Sequence, residues 1–366
     1  MRAFPSRSTV IVSIVVLASF AMACQRDLPT EASIDPGSTY ARHTAEPAPA
    51  SVNLGVLPGD NSSRANAVND AGEVVGYSCG SDCRAFVTIG NVLTALPGAG
   101  ANALAISNGS VRYVAGWAGA PSMPVRWSIT GNTPGQPLNL GLGTATWGAA
   151  LGVNDAGVAV GRAGSDAAMW DADGNITLLP APSGFTRGEG RDINNAGDAV
   201  FVFTRSDAGW PNGISIAYLR LSSGEMIPLP PSASSGISYA NSVSSPANNL
   251  LQIAGSSYAD PSSSRAVLWT VDIATQQIVS TDTRTETSHA VAISDNGAAA
   301  GFTEGPTNSL KSKAFRWQGA DFLTLSPPKN SKDAKAWGIS SNGVFVAGEA
   351  IVQLSRRAVL WTMPSQ

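Results

Sequence analysis

A pentad that recurs seven times constrains this chain more than any other feature. It reads Ala65-Asn66-Ala67-Val68-Asn69, then Ala103-Leu104-Ala105-Ile106-Ser107, Ala150-Leu151-Gly152-Val153-Asn154 and Gly190-Arg191-Asp192-Ile193-Asn194. Ala240-Asn241-Ser242-Val243-Ser244, Ala290-Val291-Ala292-Ile293-Ser294 and Ala336-Trp337-Gly338-Ile339-Ser340 complete the set. Every copy begins with Ala or Gly, carries Val or Ile fourth and ends in Asn or Ser. The third residue is small everywhere except at Asp192. Six steps separate Val68 from Ile339, so the period is about 45 residues, the size of a four-stranded propeller blade.

Each unit continues in the same way. The pentad runs into a turn signal such as Asn69-Asp70-Ala71-Gly72 or Asp295-Asn296-Gly297, where Asn and Gly tolerate positive φ and a tight hairpin follows. A second strand usually ends in Gly, as in Glu73-Val74-Val75-Gly76. A third reads Arg84-Ala85-Phe86-Val87 or Ala314-Phe315-Arg316-Trp317, and a fourth reads Ile176-Thr177-Leu178-Leu179-Pro180. Length, aliphatic and aromatic content, and Gly/Pro punctuation make these strands.

The ends are complementary. The last unit stops after its third strand, at Ala358-Val359-Leu360-Trp361, while a lone fourth-type segment, Val52-Asn53-Leu54-Gly55-Val56-Leu57-Pro58, precedes the first. One end can supply what the other lacks, closing a ring without open sheet edges. The sequence predicts an all-β protein, a seven-bladed β-propeller over residues 51–362 whose last blade is completed by an N-terminal strand. An open β-solenoid is the alternative. It would not need matched ends.

These units resemble the HAF repeats of bacterial extracellular proteins, which join an A-x-x-I-N-x-x-G-x-V-V-G stretch to a His-Ala-Phe-x-Trp stretch. Ala65 to Gly76 matches the first stretch, and Lys313-Ala314-Phe315-Arg316-Trp317 matches the second without its His. The resemblance covers about residues 52–362. It implies export and a propeller fold, and no activity.

Residues 1–23 read as an export signal. Arg2 and Arg7 precede an uncharged run from Val10 to Met22, too short to span a bilayer, and Ala21-Met22-Ala23 offers small residues for cleavage. Cys24 follows and resembles a lipobox cysteine, although Ala21 stands where Leu is preferred. Cys79 and Cys83 are close enough to pair in an oxidising compartment, which leaves Cys24 odd. Lipidation accounts for it. The alternatives are a plainly secreted protein with a stray thiol, and two unpaired cysteines in a strand connection. Residues 24–50 are Pro-, Ala-, Ser- and Thr-rich and read as a flexible tether; residues 363–366 form a tail.

Composition narrows the function classes. Charged residues make up 13% of the 366 and the net charge is −3, which speaks against nucleic acid. Two histidines leave little for imidazole chemistry, and no G-x-S-x-G elbow, P-loop or H-E-x-x-H occurs. No cofactor or metal is expected. His289 has no sequence neighbour that sets it apart from a loop histidine. Asp171-Ala172-Asp173-Gly174-Asn175 resembles a calcium loop, yet Pro182 stands where Glu would be needed, and a hairpin turn fits the same residues.

Trp127, Trp170, Trp269, Trp317 and Trp361 repeat once per unit and read as packing elements. Trp147, Trp210 and Trp337 break the register and are candidates for recognition. Second-to-third and fourth-to-first connections share one end of a propeller, and here they are long, as at Thr204–Ser215, Ser256–Arg265, Thr303–Lys313 and Pro180–Glu189. Variable loops on a rigid scaffold are the usual place for binding. That face carries the candidates Phe185, Arg187, Glu189, Arg205, Asp207, Trp210 and Tyr258, with Trp337. Arg191 and Asp192 depart from the other pentads and are placed near the channel, either as binding residues or as an ion pair with each other. The expected function is that of an envelope-tethered monomer on the outer membrane or cell surface, or of a secreted protein. It would bind a glycan, peptide or protein. The alternative is a polysaccharide-acting enzyme using Glu189 and Asp192 at the channel mouth.

Overall fold

The computed structural model describes residues 48–207, 210–233, 236–260, 263–305 and 311–364. The expected signal segment, Cys24, most of the tether and the last two residues of the tail lie outside the described residues.

Seven antiparallel sheets follow one another: blades 1 (62–95), 2 (102–139), 3 (148–179), 4 (187–229), 5 (237–283), 6 (288–324) and 7 (331–362). Each runs in chain order from the pentad strand outward. Blade 2 differs in its outer strand, which is split into Thr133–Pro134 and Leu138–Asn139. Blade 7 takes its outer strand from Ala50–Gly55, paired antiparallel with Ser355–Thr362 from Ala50 opposite Thr362 to Gly55 opposite Ala358. The ring is therefore a closed seven-bladed β-propeller. Ser63 fastens the seam: its hydroxyl donates to the Gly55 carbonyl and accepts the Ala358 N–H at 2.9 Å, in full burial.

The pentad explains itself in three parts. In every blade the register slips at its second residue, for example between Ala65 opposite Gly76 and Ala67 opposite Val75. This bulge re-aims one side chain per blade. The Gly on the second strand is required because the bulged backbone presses on it. A Cβ at Gly76 would sit 1.9 Å from the Arg64 carbonyl oxygen, and one at Gly348 2.0 Å from that of Lys335. Blade 4 exchanges the sizes and sets Gly190 opposite Phe201. The closing Asn or Ser caps the hairpin: Asn69 Oδ1 accepts the N–H groups of Ala71 and Glu73, while its Nδ2 reaches the Ser107 carbonyl of blade 2.

The apolar residues form seven clusters, one at each blade junction, and none fills the centre. Blades are apolar on both faces for this reason, which accounts for the low charge. The once-per-unit tryptophans are buried in these junctions, and four of them bond backward. Nε1 of Trp127, Trp170, Trp269 and Trp361 donates to the carbonyls of Pro97, Gly141, Pro230 and Ser326, each just after the preceding blade's outer strand.

First-to-second turns lie at one end of the ring, where Asp and Asn side chains link neighbouring turns. Asp155 Oδ1 accepts the Asn108 N–H at 2.6 Å, and Asp70 Oδ1 accepts the Asn342 N–H at 2.8 Å. The pentad strands begin at the opposite end, the mouth. The outer strand of blade 7 starts with Ala50 at the turn end and delivers Gly55 to the mouth.

Candidate functional site at the channel mouth

Two of the expected long loops are not loops. In blade 4 the second and third strands run on as Ala199–Asp207 and Trp210–Arg220, and in blade 5 as Leu250–Asp260 and Ser263–Asp272. They are hairpin arms standing beyond the sheet. Pro211, Asn212 and Gly213 carry loop chemistry in sequence, but strand pairing continues through Ser215 opposite Thr204 and Ile214 opposite Arg205. The Thr303–Lys313 connection includes 306–310, which lie outside the described residues.

The bulged residues form a ring around the channel: Asn66, Leu104, Leu151, Arg191, Asn241, Val291 and Trp337. Toward the turn end they enclose a channel cavity of about 180 Å³. On the mouth side lie two adjoining cavities. One, of about 260 Å³, is lined by Arg191, Tyr239, Asn241, Ser256, Tyr258, His289, Val291, Phe302 and Trp337. The other, of about 400 Å³, is lined by Trp147, Arg162, Gly164, Ser165, Arg187, Gly188, Glu189, Val202, Thr204 and Tyr239.

An arc of rings walls the mouth across blades 5, 6 and 7. Tyr239 and Tyr258 lie 5.9 Å apart edge to face, Tyr258 and His289 6.0 Å, His289 and Phe302 4.9 Å, and Phe302 and Trp337 5.1 Å. Such spacings are those of favourable aromatic pairs. Cations lie over the arc, with the Arg64 guanidinium 3.7 Å from the Trp337 ring and the Lys335 ammonium 4.5 Å from Phe302. Across the mouth, Arg162 lies 5.0 Å from the ring of Trp147, which is 38% exposed.

The residue just before each pentad builds much of this wall, as Arg64, Glu189, Tyr239, His289 and Lys335. Sequence reading missed four of these five, and it missed Arg162 and Phe302 on the second strands. The signal was available: this position and the pentad's second are the two that vary in an otherwise strict repeat.

Nine of the ten expected binding-face residues divide into three groups. Arg187, Glu189, Arg191, Tyr258 and Trp337 line the mouth cavities. Burial pushes the Tyr258 hydroxyl up to about 12. Phe185 packs on the blade 3–4 cluster beneath Arg205, 5.9 Å away, and neither lines a mouth cavity. Asp207 is exposed near the tip of the blade 4 arm, opposite Trp210 in register; the Trp210 side chain lies outside the described residues.

The expected ion pair between Arg191 and Asp192 is not formed. The bulge sends the two neighbours different ways. Arg191 bonds Glu189 Oε1 at 2.9 Å and Asn241 Oδ1 at 3.1 Å. Asp192 turns into the blade 4–5 junction, where its carboxylate accepts the Ser242 hydroxyl at 2.7 Å and the Val243 N–H at 3.0 Å. Burial pushes its carboxyl up to about 6, opposed by those bonds. Glu189 is bridged by Arg162 and Arg191. The two carboxylates named for catalysis therefore point into different surroundings.

His289 is no loop histidine. It sits on the inner strand Ser288–Ile293, its Nδ1 3.1 Å from Ser256 Oγ, and its Nε2 3.1 Å from Ser264 Oγ and 3.0 Å from Glu304 Oε1. Burial holds its imidazole below the usual range, against Glu304. Both serines are buried, so the cluster fixes the ring within the arc. Cys79 and Cys83 are disulfide-bonded at the base of the blade 1 second-to-third hairpin, also on the mouth side. Asp171 closes a hairpin turn, accepting the N–H groups of Asp173 and Asn175.

No family model matches the sequence, and no curated protein matches it. Among solved structures, the chain is similar to an oligogalacturonate lyase from Vibrio parahaemolyticus (TM-score 0.56, 9% identity, 86% of this chain and 94% of that one). It is also similar to an oligogalacturonate lyase in complex with manganese (0.54, 11%, 86% and 93%) and to the Dos1 propeller (0.50, 10%, 87% and 95%). At such identity the likeness is one of fold, a scaffold that carries unrelated tasks.

Proposed function

We propose that this protein is an exported binding propeller, tethered to the bacterial envelope through Cys24, that holds a glycan, peptide or protein segment at its mouth. The observation that carries the reading is the run of five contacting rings from Tyr239 to Trp337 beside two adjoining cavities. Aromatic faces rimmed by polar groups suit sugar rings and peptide side chains. The resemblance to HAF repeats and the signal-like first 23 residues support export. Of the two carboxylates named for a polysaccharide-cleaving role, Glu189 lines the mouth beside two arginines, while Asp192 serves the blade junction.

Glycan-array and pull-down screens of the purified protein test the reading. Expected is a ligand whose capture is lost in Trp147→Ala and Tyr258→Ala variants that melt close to the parent. Capture unaffected by either substitution would place binding elsewhere. Radiolabelled palmitate incorporated by the parent and absent from Cys24→Ser tests the anchor.

A further inference from the structure

We infer that the mouth takes an acidic glycan, with sugar rings against its aromatic side chains and ring-borne carboxylates or sulfates on its arginines. This rests on the binding reading above and adds the chemical class.

The inference starts from charge. Two carboxylates at the mouth each lie among two arginines. Glu189 is 2.9 Å from Arg191 and 3.5 Å from Arg162. Glu349 is 3.0 Å from Arg356, and its charge also acts on Arg64. One carboxylate balances one guanidinium, so each trio keeps a positive charge in excess. The whole chain carries −3. The excess is therefore local to these two clusters.

Each trio also reaches an aromatic ring. Arg162 lies over Trp147 and Arg64 over Trp337. A guanidinium stacked on a ring presents its N–H groups edgewise, the geometry that grips an oxyanion. Neither guanidinium is fully satisfied by the protein: among the described residues, Nε of Arg64 and Nε of Arg162 are buried without a hydrogen-bond acceptor, which leaves the terminal N–H groups as the edge each arginine can offer. The same pairing of ring and surplus cation thus occurs twice, once at blade 3 and once at the seam of blades 7 and 1. A single small anion would need one such pair. A polymer with a charge on each sugar would use both.

Isothermal titration calorimetry with three probes tests the inference: an alginate hexamer, its methyl ester, and cellohexaose. The acid is expected to bind about tenfold or more tighter than the ester at low salt, with the advantage shrinking as salt rises to roughly 0.5 M. Arg162→Gln and Arg64→Gln are each expected to weaken the acid about tenfold, the loss of one charge-assisted hydrogen bond, and to narrow the gap between acid and ester. The Arg162 side chain is 42% exposed, so that variant retains the fold; melting curves check the other. Equal binding of acid and ester overturns the inference. If that binding is lost in Trp147→Ala, the binding reading stands without the acidic class. If no hexamer binds but a pull-down partner needs the same tryptophan, the inference falls alone. With neither, both fall.

Discussion

Gly190 faces Phe201 where six other blades place Ala opposite Gly. A Cβ on Gly190 would sit 2.8 Å from Val160 Cβ and 3.0 Å from Phe201 Cε1, so the Phe201 ring and Val160 leave no room for the methyl that the other blades carry here. Gly190→Ala is expected to destabilise by about 1–3 kcal/mol through overpacking. Phe201→Gly, which empties the site, costs more, about 3–5 kcal/mol. The double variant should lose less than the sum. Urea melts of the four proteins measure the coupling, and strict additivity would refute the pairing.

The seam depends on Ser63. Its hydroxyl serves two backbone groups on different strands of blade 7 while fully buried. Ser63→Ala leaves both without a partner and should cost about 1–3 kcal/mol. Hydrogen exchange of the Ala358 amide should quicken first, before amides of blade 4.

Asp192 makes stability depend on pH. Its folded value, about 6, stands above its ordinary one, so the native state binds the extra proton between roughly pH 4 and 6. Stability from this group is therefore present at the acid end and lost as pH rises through 6. The Asp295 charge acts in the same sense. Asp192→Asn should remove that decline: parent minus variant, measured by denaturant melts from pH 4 to 7, should fall with pH. A flat difference would contradict the assignment.

The tryptophans separate by task. Trp170 is buried and donates to the Gly141 carbonyl at 2.6 Å. Trp170→Phe orphans that carbonyl and should cost about 1–3 kcal/mol. Trp147→Ala, at an exposed position, should change stability by about 0.5 kcal/mol while removing ligand capture. Thermal melts beside a binding assay distinguish the two. Equal destabilisation would mean that Trp147 is another packing residue.

The ring was legible because every blade repeats one local bargain between a bulge, a facing Gly and a capping Asn or Ser, and local rules show in a single sequence. Arg191, Asp192 and Trp337 stood out as departures from that pattern. Asp192 nevertheless turned away from the mouth, since a bulge changes the facing of consecutive side chains and spacing alone does not say which. Arg64 and Trp337 are remote in sequence and meet only because the ring closes. Arg162 and Phe302 are invisible for a related reason: they reach the mouth from second strands, whose residues look like ordinary sheet.

The outer strand of blade 7 gives the molecule a polarity. Ala50 begins that strand at the turn end, so the chain joins the ring on the side away from the aromatic arc. Tension applied at Ala50 would therefore enter the ring from the end opposite the mouth. A load pulling on a captured polymer would then pass through the ring to Ala50–Gly55 and its pairing with Ser355–Thr362. The strand that closes the propeller would also be its mechanical link, and the first to be tested when ligand and anchor are drawn apart.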